Sequence, residues 1–296
     1  MPPRPRLKNP GNGPHSGKAI FELSLLSTFL FIFSALLLQF LLNLHSALLL
    51  AAYDITYQYS LFAISYLTET ATVPEPSGYL AAGSSKWSED KLYFIFATGP
   101  MVLTSLGFLL LFGLRKLRNL PWKIRLFLTW MAFLMVNALP CGLIAGVFFY
   151  DGFGIAFQWL IPSYIVRLII ALMVLLLLIF FSRFWQRMFL KASYTSAFTD
   201  SVAHQRKFIL NVFFKPWIYG FFILLLFNWP FNNLFWRTFL LSFAYMAIAL
   251  FDHNIRVHRR PHIHRTDKNI FTSRLQPLWF ALALVGVWVA DYFLIF

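Results

Sequence analysis

Long runs of apolar residues, separated by short polar segments, dominate this chain. The runs cover residues 20–50, 93–114, 126–149, 155–182, 208–228, 231–251 and 275–296. A helix rises about 1.5 Å per residue, so roughly 20 apolar residues cross the hydrocarbon core of a bilayer. A closed membrane barrel would show alternating strands of about ten residues instead. The pattern therefore predicts an all-α polytopic membrane protein, a bundle of about seven transmembrane helices, with six or eight as alternatives.

The composition leads to the same class of protein. The chain is 59% hydrophobic and 20% aromatic, and 12% of its 296 residues are charged, against about 25% in a soluble globular domain. A single transmembrane domain over residues 20–296, preceded by a basic tail at 1–19, is simpler than two soluble domains. Cys141 is the only cysteine, so an internal disulfide is excluded.

The distribution of positive charge predicts how the chain is threaded. Of the 25 lysine and arginine residues, 20 lie in four segments: 1–19, 115–125, 183–207 and 252–274. Short cytoplasmic loops retain such residues, and seven crossings place all four segments on one face. We therefore expect a bacterial cytoplasmic (inner) membrane protein with its amino terminus inside and its carboxyl terminus outside. Cations confined between apolar runs favour anionic lipid headgroups as partners over nucleic acid.

Residues 54–92 are expected on the external face, because they contain five acidic residues against two lysines. Their first part is aromatic and amphipathic, which is typical of a segment that lies at the membrane interface. Their later part is rich in proline and glycine and is predicted to be an irregular loop.

The predicted cytoplasmic loop at 252–274 is rich in histidine and arginine. Its candidate residues are His253, His258, His262, His264, Arg256, Arg259, Arg260 and Arg265. His258 and His262 have a spacing that suits a metal site on one helical face, but Pro261 would interrupt that helix and the arginines would repel a cation. We interpret the loop as a surface for lipid headgroups, with metal binding as the alternative, and expect no metal or other cofactor.

Arg167 is the clearest ionisable residue inside a predicted span. Its charge would cost at least about 2.5 kcal/mol in lipid, so it needs a polar partner or a water-filled cavity. Asp151 and Asp291 are predicted in the same half of the membrane and are candidate partners. A structural ion pair or a snorkelling side chain is the alternative to a role in transport or catalysis.

Two other predicted spans contain polar residues. In the first, Gln39 and Asn43 share a helical face and His45 lies close by; in the third, Asn137 precedes Pro140. Hydrogen bonding between helices is the ordinary explanation for such residues.

Three sequence fragments, taken in order, resemble the core of the site-2 proteases, which are intramembrane zinc metalloproteases. They are NLHSALLLAA at 43–52, TGPMVLTSLG at 98–107, and NALP at 137–140 followed by DG at 151–152. Ser46 stands where that family has its catalytic glutamate, and Leu49 where it has its second histidine ligand. The resemblance therefore implies an inactive, degenerate relative that lacks a zinc ligand and the proton shuttle.

The sequence contains no complete set of catalytic residues, so we assign none. We expect a subunit or scaffold of a membrane complex, with other membrane proteins as partners. The alternatives are a transporter or channel component with Arg167 in its polar interior, and a membrane-embedded, metal-dependent enzyme.

Overall fold

The computed structural model describes residues 17–53, 57–59, 64–66, 89–117, 120–148, 153–192 and 202–227. This part of the chain is nearly all helical, as predicted. Five of its helices are long and apolar enough to cross a membrane: Ile20–Ala52, Phe94–Lys116, Trp122–Phe148, Tyr164–Lys191 and Ala203–Leu224. The predicted spans at 231–251 and 275–296 lie outside the described residues, so the count of seven is not established.

The elements follow one another along the chain in a simple order. They are α1 (Gly17–Ala52), β1 (Tyr57–Tyr59), β2 (Ile64–Tyr66), α2 (Glu89–Lys116), α3 (Trp122–Phe148), α4 (Phe153–Leu160), α5 (Tyr164–Lys191), α6 (Val202–Ile209), a π-helical turn (Leu210–Phe214) and α7 (Lys215–Phe227). Helices α6 and α7 with the turn between them form the fifth long helix. Helices α1, α2 and α5 all pack on α3, which is the centre of the described bundle.

The fourth apolar run is two helices, and the prediction of one helix over 155–182 is wrong. Helix α4 ends at Leu160, and α5 begins at Tyr164. Pro162 lies between them; it has no backbone N–H and disfavours a helical conformation at Ile161. The Arg167 amide then donates to the Ser163 carbonyl over 3.1 Å, which is the first turn of α5.

A short hairpin lies within the predicted external segment. Strands β1 and β2 are antiparallel, with Tyr57 opposite Tyr66 and Tyr59 opposite Ile64. The alternation of aromatic and polar residues in this stretch suits a pair of strands. The later part of the external segment, predicted as an irregular loop, lies outside the described residues except at its end, where residues 89–92 belong to α2.

The core of the bundle is a cluster of aromatic rings around Trp130 of α3, whose side chain is fully buried. The Trp130 ring centroid lies 4.9 Å from that of Phe31, 4.7 Å from that of Phe189 and 5.4 Å from that of Phe213. The cluster therefore joins α1, α3, α5 and the π-helical turn. Rings at such distances and tilts attract each other beyond the effect of burial.

Glycines allow α3 to approach its neighbours closely. A methyl group on Gly107 of α2 would lie 2.8 Å from the Val136 backbone nitrogen, and one on Gly146 would lie 3.0 Å from the Cα of Gly154 in α4. Small residues are the usual means by which membrane helices bring their backbones together. The packing of α2 and α4 on α3 thus depends on these two positions.

Candidate functional site

Hydrogen bonds link α1, α3 and the π-helical turn in the bundle centre. The Trp130 indole N–H donates to the Ser27 hydroxyl over 3.0 Å, and that hydroxyl donates to the Val212 carbonyl. Pro216 follows Val212 by four residues and has no N–H to give to that carbonyl. The Ser27 hydroxyl therefore satisfies an acceptor that the proline leaves without its usual helical donor.

A second cross-helix contact stabilises α3 next to its proline. The Thr104 hydroxyl of α2 donates to the Met135 carbonyl over 3.2 Å and accepts from the Leu139 amide over 3.1 Å. An uninterrupted helix pairs these two backbone groups with each other. Thr104 thus bonds both of these backbone groups of α3 immediately before Pro140, where helices commonly bend.

The polar residues predicted in the first span lie in two separate contacts. Gln39 Nε2 donates to Asn43 Oδ1 over 3.1 Å, which confirms that the two side chains share a face of α1. His45 Nε2 lies 3.0 Å from the Thr98 hydroxyl of α2.

Asn137, the polar residue predicted in the third span, is buried in α3 and donates to the Phe133 carbonyl of its own helix over 2.6 Å. These side chains hold helices together or satisfy their own backbone.

Arg167 is buried. The predicted helix over 155–182 placed it about a dozen residues from the start of its helix. Because α5 begins at Tyr164, Arg167 is in the first turn of that helix. Its guanidinium carbon lies 5.9 Å from the centroid of the Tyr164 ring, and its Nε and Nη1 atoms have no hydrogen-bond partner among the described residues. A cation at the positive end of a helix is unfavourable, so this position suits an anion or a carboxylate.

Several predicted residues lie outside the described part of the chain. Asp151 and Asp291 are among them, so their pairing with Arg167 stays a prediction. The same holds for the histidine and arginine loop at 252–274. Among the described residues, no group of three or more histidine, cysteine or acidic side chains is placed to hold a metal ion.

Two of the three fragments that resemble a site-2 protease, the first and the second, contact each other through His45. His45 of the first fragment contacts Thr98 and lies close to Gly99 in the second. Asp151 of the third fragment is outside the described residues. The contact between His45 and Thr98 is one hydrogen bond, and it contains neither a carboxylate nor a second metal ligand.

Four cations from three helices converge at one end of the bundle. Lys191 of α5 lies close enough to Arg115, Arg125 and Arg187 to experience their charge. Arg125 also donates to the Leu117 carbonyl over 2.7 Å. Helices α2 and α5 both end here, and cations near the carboxyl end of a helix are favourable.

An apolar groove opens beside these cations. Its volume is about 390 Å³, and its lining is Phe108, Leu111, Phe112, Arg115, Phe181 and Phe184. Leu111 is buried, whereas Phe112 is 59% exposed. The Arg115 guanidinium carbon lies 5.2 Å from the centroid of the Phe184 ring. The groove therefore separates the carboxyl-terminal halves of α2 and α5, with a charged group at one end.

No protein family, curated protein or solved structure matches this chain.

Thr104 and the groove were not predicted from the sequence. A threonine in an apolar run gives no distinct signal by itself. A hydroxyl residue that can lie opposite a proline of a neighbouring helix would have indicated this contact. The groove depends on the separation of α2 and α5 on either side of α3, which sequence pattern does not indicate.

Proposed function

We propose that this protein is a seven-span subunit or scaffold of a membrane complex in a bacterial cytoplasmic membrane, without catalytic activity of its own. The main support for this proposal is that polar side chains inside the described bundle form hydrogen bonds between helices. Ser27, Thr104 and His45 each connect one helix to another. Side chains used in this way stabilise a fixed arrangement of helices and leave few polar groups for chemistry.

The outer surface of the bundle supports an assembly role. Large apolar side chains are exposed along α2 and α5, including Leu109, Phe112, Ile165 and Met173. Lipid tails cover such a surface well, and so do the helices of a membrane partner. A protein with a packed centre and a wide apolar exterior is suited to hold other membrane helices.

Crosslinking in the native membrane followed by purification in mild detergent tests the proposal. We expect the full chain to be recovered with a defined partner in constant stoichiometry. Recovery as a monomer with no crosslinked partner, in membranes where the chain is at its native level, would contradict the scaffold role.

The proposed orientation has its own test. We propose that the basic end of the bundle faces the cytoplasm, because the charge distribution follows the positive-inside rule. Single cysteines are placed near each terminus in a Cys141→Ala background and labelled in intact cells with an impermeant maleimide. We expect labelling near the carboxyl terminus alone; labelling of both positions or of neither would exclude seven crossings.

Arg167 favours a second candidate function, the transport of an anion. It is buried at the amino-terminal end of α5, and its Nε and Nη1 atoms donate no hydrogen bond to any of the described residues. Flux of small anions into proteoliposomes, compared between the native chain, Arg167→Lys and Arg167→Leu, tests this function. Loss of flux in Arg167→Leu with partial activity in Arg167→Lys would support transport, whereas no flux in the native chain would exclude it.

A further inference from the structure

We propose that the groove between α2 and α5 binds an anionic phospholipid, with one acyl chain against its phenylalanines and the phosphate beside Arg115. The site is formed by described residues alone. It rests on the proposed membrane placement and orientation of the bundle and is independent of the scaffold role.

The apolar part of the groove has a length and a lining that suit part of an acyl chain. Phe108, Phe112 and Arg115 follow one side of α2 over about two helical turns, or roughly 10 Å along the axis. Phe181 and Phe184 line the opposite side, and buried Leu111 contributes to the base. A volume of about 390 Å³ is in the usual range of small-molecule sites, about 300 to 1,000 Å³.

The polarity along the groove changes in the same direction on both helices. On α2 the apolar Phe108 is followed by Arg115, and on α5 the apolar Phe181 is followed by Arg187 and Lys191. Both helices end at the same end of the bundle, where these cations meet. An amphiphile with an apolar chain and a negative headgroup matches this change, and its phosphate would lie where the cations converge.

The parts of the helices that lie beside the groove carry no negative charge to neutralise these cations. No aspartate or glutamate occurs between Lys91 and Tyr150 or between Gly152 and Thr199. Helices α3 and α5, and α2 beyond its first two residues, therefore contain no carboxylate. Basic sites between transmembrane helices at the cytoplasmic side characteristically bind anionic lipid headgroups.

The occupant is a phospholipid in preference to free phosphate, because most of the lining is apolar. Arg115 also lies against the Phe184 ring, so the cation and the apolar wall form one surface. A free anion would use Arg115, Arg187 and Lys191 and leave the phenylalanines without a partner. A zwitterionic lipid would use the phenylalanines and gain less from the cations.

Native mass spectrometry of the full chain in mild detergent compares the affinities for an anionic phospholipid, a zwitterionic phospholipid and a free phosphate. The probes are phosphatidylglycerol, phosphatidylcholine with the same acyl chains, and glycerol 1-phosphate, which is the headgroup without chains. One basic residue near a headgroup contributes about 1 kcal/mol, which is about fivefold in affinity. We expect phosphatidylglycerol to bind at least about fivefold more tightly than phosphatidylcholine, and glycerol 1-phosphate to show no binding at the same concentration.

Two neighbouring substitutions separate a defined site from general surface charge. Arg115→Gln removes the cation that lines the groove, and Lys116→Gln removes one charge from the next residue, which does not line it. Both side chains are exposed, so both variants should fold. We expect Arg115→Gln to weaken phosphatidylglycerol binding about fivefold and Lys116→Gln to leave it unchanged.

A second pair of variants tests the apolar wall. Phe108→Trp narrows the groove, whereas Leu109→Trp enlarges an exposed side chain that does not line it. We expect the first to reduce binding of both phospholipids and the second to have no effect. Equal affinity for the two phospholipids, or equal effects of Arg115→Gln and Lys116→Gln, would overturn the proposal. The titration contains no partner protein, so it does not depend on the result of the crosslinking experiment.

Discussion

Helices α3 and α5 are of similar length and are both apolar, yet they occupy opposite environments. In the most apolar stretch of α3, 61% of the residues are buried, against 19% in α5, which is the most apolar of the five candidate spans. In water the most apolar helix would be the central one. Here the most apolar helix is the less buried of the two. This is typical of a protein whose solvent is lipid, because lipid tails accept leucine and isoleucine as readily as a protein core does.

The two helices also differ in the residues that make their contacts. Helix α3 is held to its neighbours by the Trp130 ring and by the backbone groups that bond Thr104, whereas the outward residues of α5 include Leu172, Met173 and Leu176. Packing and hydrogen bonds, rather than hydropathy, therefore decide which helix lies in the centre.

Loss of the central ring should have the largest effect. Trp130→Ala removes a fully buried ring that contacts Phe31, Phe189 and Phe213. We expect the free energy of unfolding to fall by about 3 to 5 kcal/mol, measured by denaturant titration in mixed micelles. The control is Met173→Ala on α5, where the side chain is 65% exposed and the change should be within about 0.5 kcal/mol. Similar losses for the two variants would show that α3 is not the core.

A methyl group at the contact between α2 and α3 should have the next largest effect. In Gly107→Ala the added carbon meets the Val136 backbone nitrogen at 2.8 Å, and such overpacking costs about 1 to 3 kcal/mol. Gly113→Ala, on the same helix, meets nothing within 4 Å. It should leave stability unchanged or raise it by up to about 1 kcal/mol. Thermal unfolding in the same detergent measures both, and an unaffected Gly107→Ala would refute the close approach.

Ser27→Ala should lower the free energy of unfolding by about 1 kcal/mol, because two hydrogen bonds of roughly 0.6 kcal/mol each are lost. The Trp130 indole and the Val212 carbonyl would each lose a partner. Ser105→Ala is the matched control, since the Ser105 hydroxyl is exposed and bonds the Met101 carbonyl of its own helix. Equal effects of the two alanine variants on unfolding would show that the link across α1, α3 and the π-helical turn contributes nothing.

The contact between His45 and Thr98 lies away from the centre and should have the smallest effect. A double-mutant cycle with His45→Ala and Thr98→Val isolates their interaction. We expect a coupling energy of about 0.6 kcal/mol, below the cost of the Ser27 variant. A coupling of several kcal/mol would identify this pair, and not the Trp130 cluster, as a principal source of stability.

The positions of the first two long helices could be predicted from the sequence. The first apolar run was predicted at 20–50 and is helical over Gly17–Ala52, and the second was predicted at 93–114 and is helical over Glu89–Lys116. These boundaries follow from length and hydropathy, which depend on local sequence. The break at Pro162 has a clear local cause, but the apolar residues on both sides of it indicate one continuous span.

The candidate sites were less predictable because they depend on register between helices. The pairing of Gln39 with Asn43 follows from helical spacing, whereas the contact of His45 with Thr98 requires the alignment of α1 and α2. Arg167 was predicted about a dozen residues into a helix over 155–182, whereas it lies in the first turn of α5, because Pro162 separates that helix from α4. The groove requires three helices to be placed before any of its residues can be recognised.

The accessibility of spin labels on α3 and α5 distinguishes a helix that faces lipid from one that lies in the protein core. In a Cys141→Ala background, nitroxides are attached singly at Leu172, Met173 and Leu176 on α5, and at Ala132 and Val136 on α3, with the purified protein in lipid nanodiscs. We predict that labels on α5 collide freely with dissolved oxygen and rarely with a water-soluble nickel chelate, while labels on α3 are protected from both. Frequent collision of the α5 labels with the nickel chelate, or equal protection of the two helices from oxygen, would contradict a bundle whose most apolar helix faces lipid.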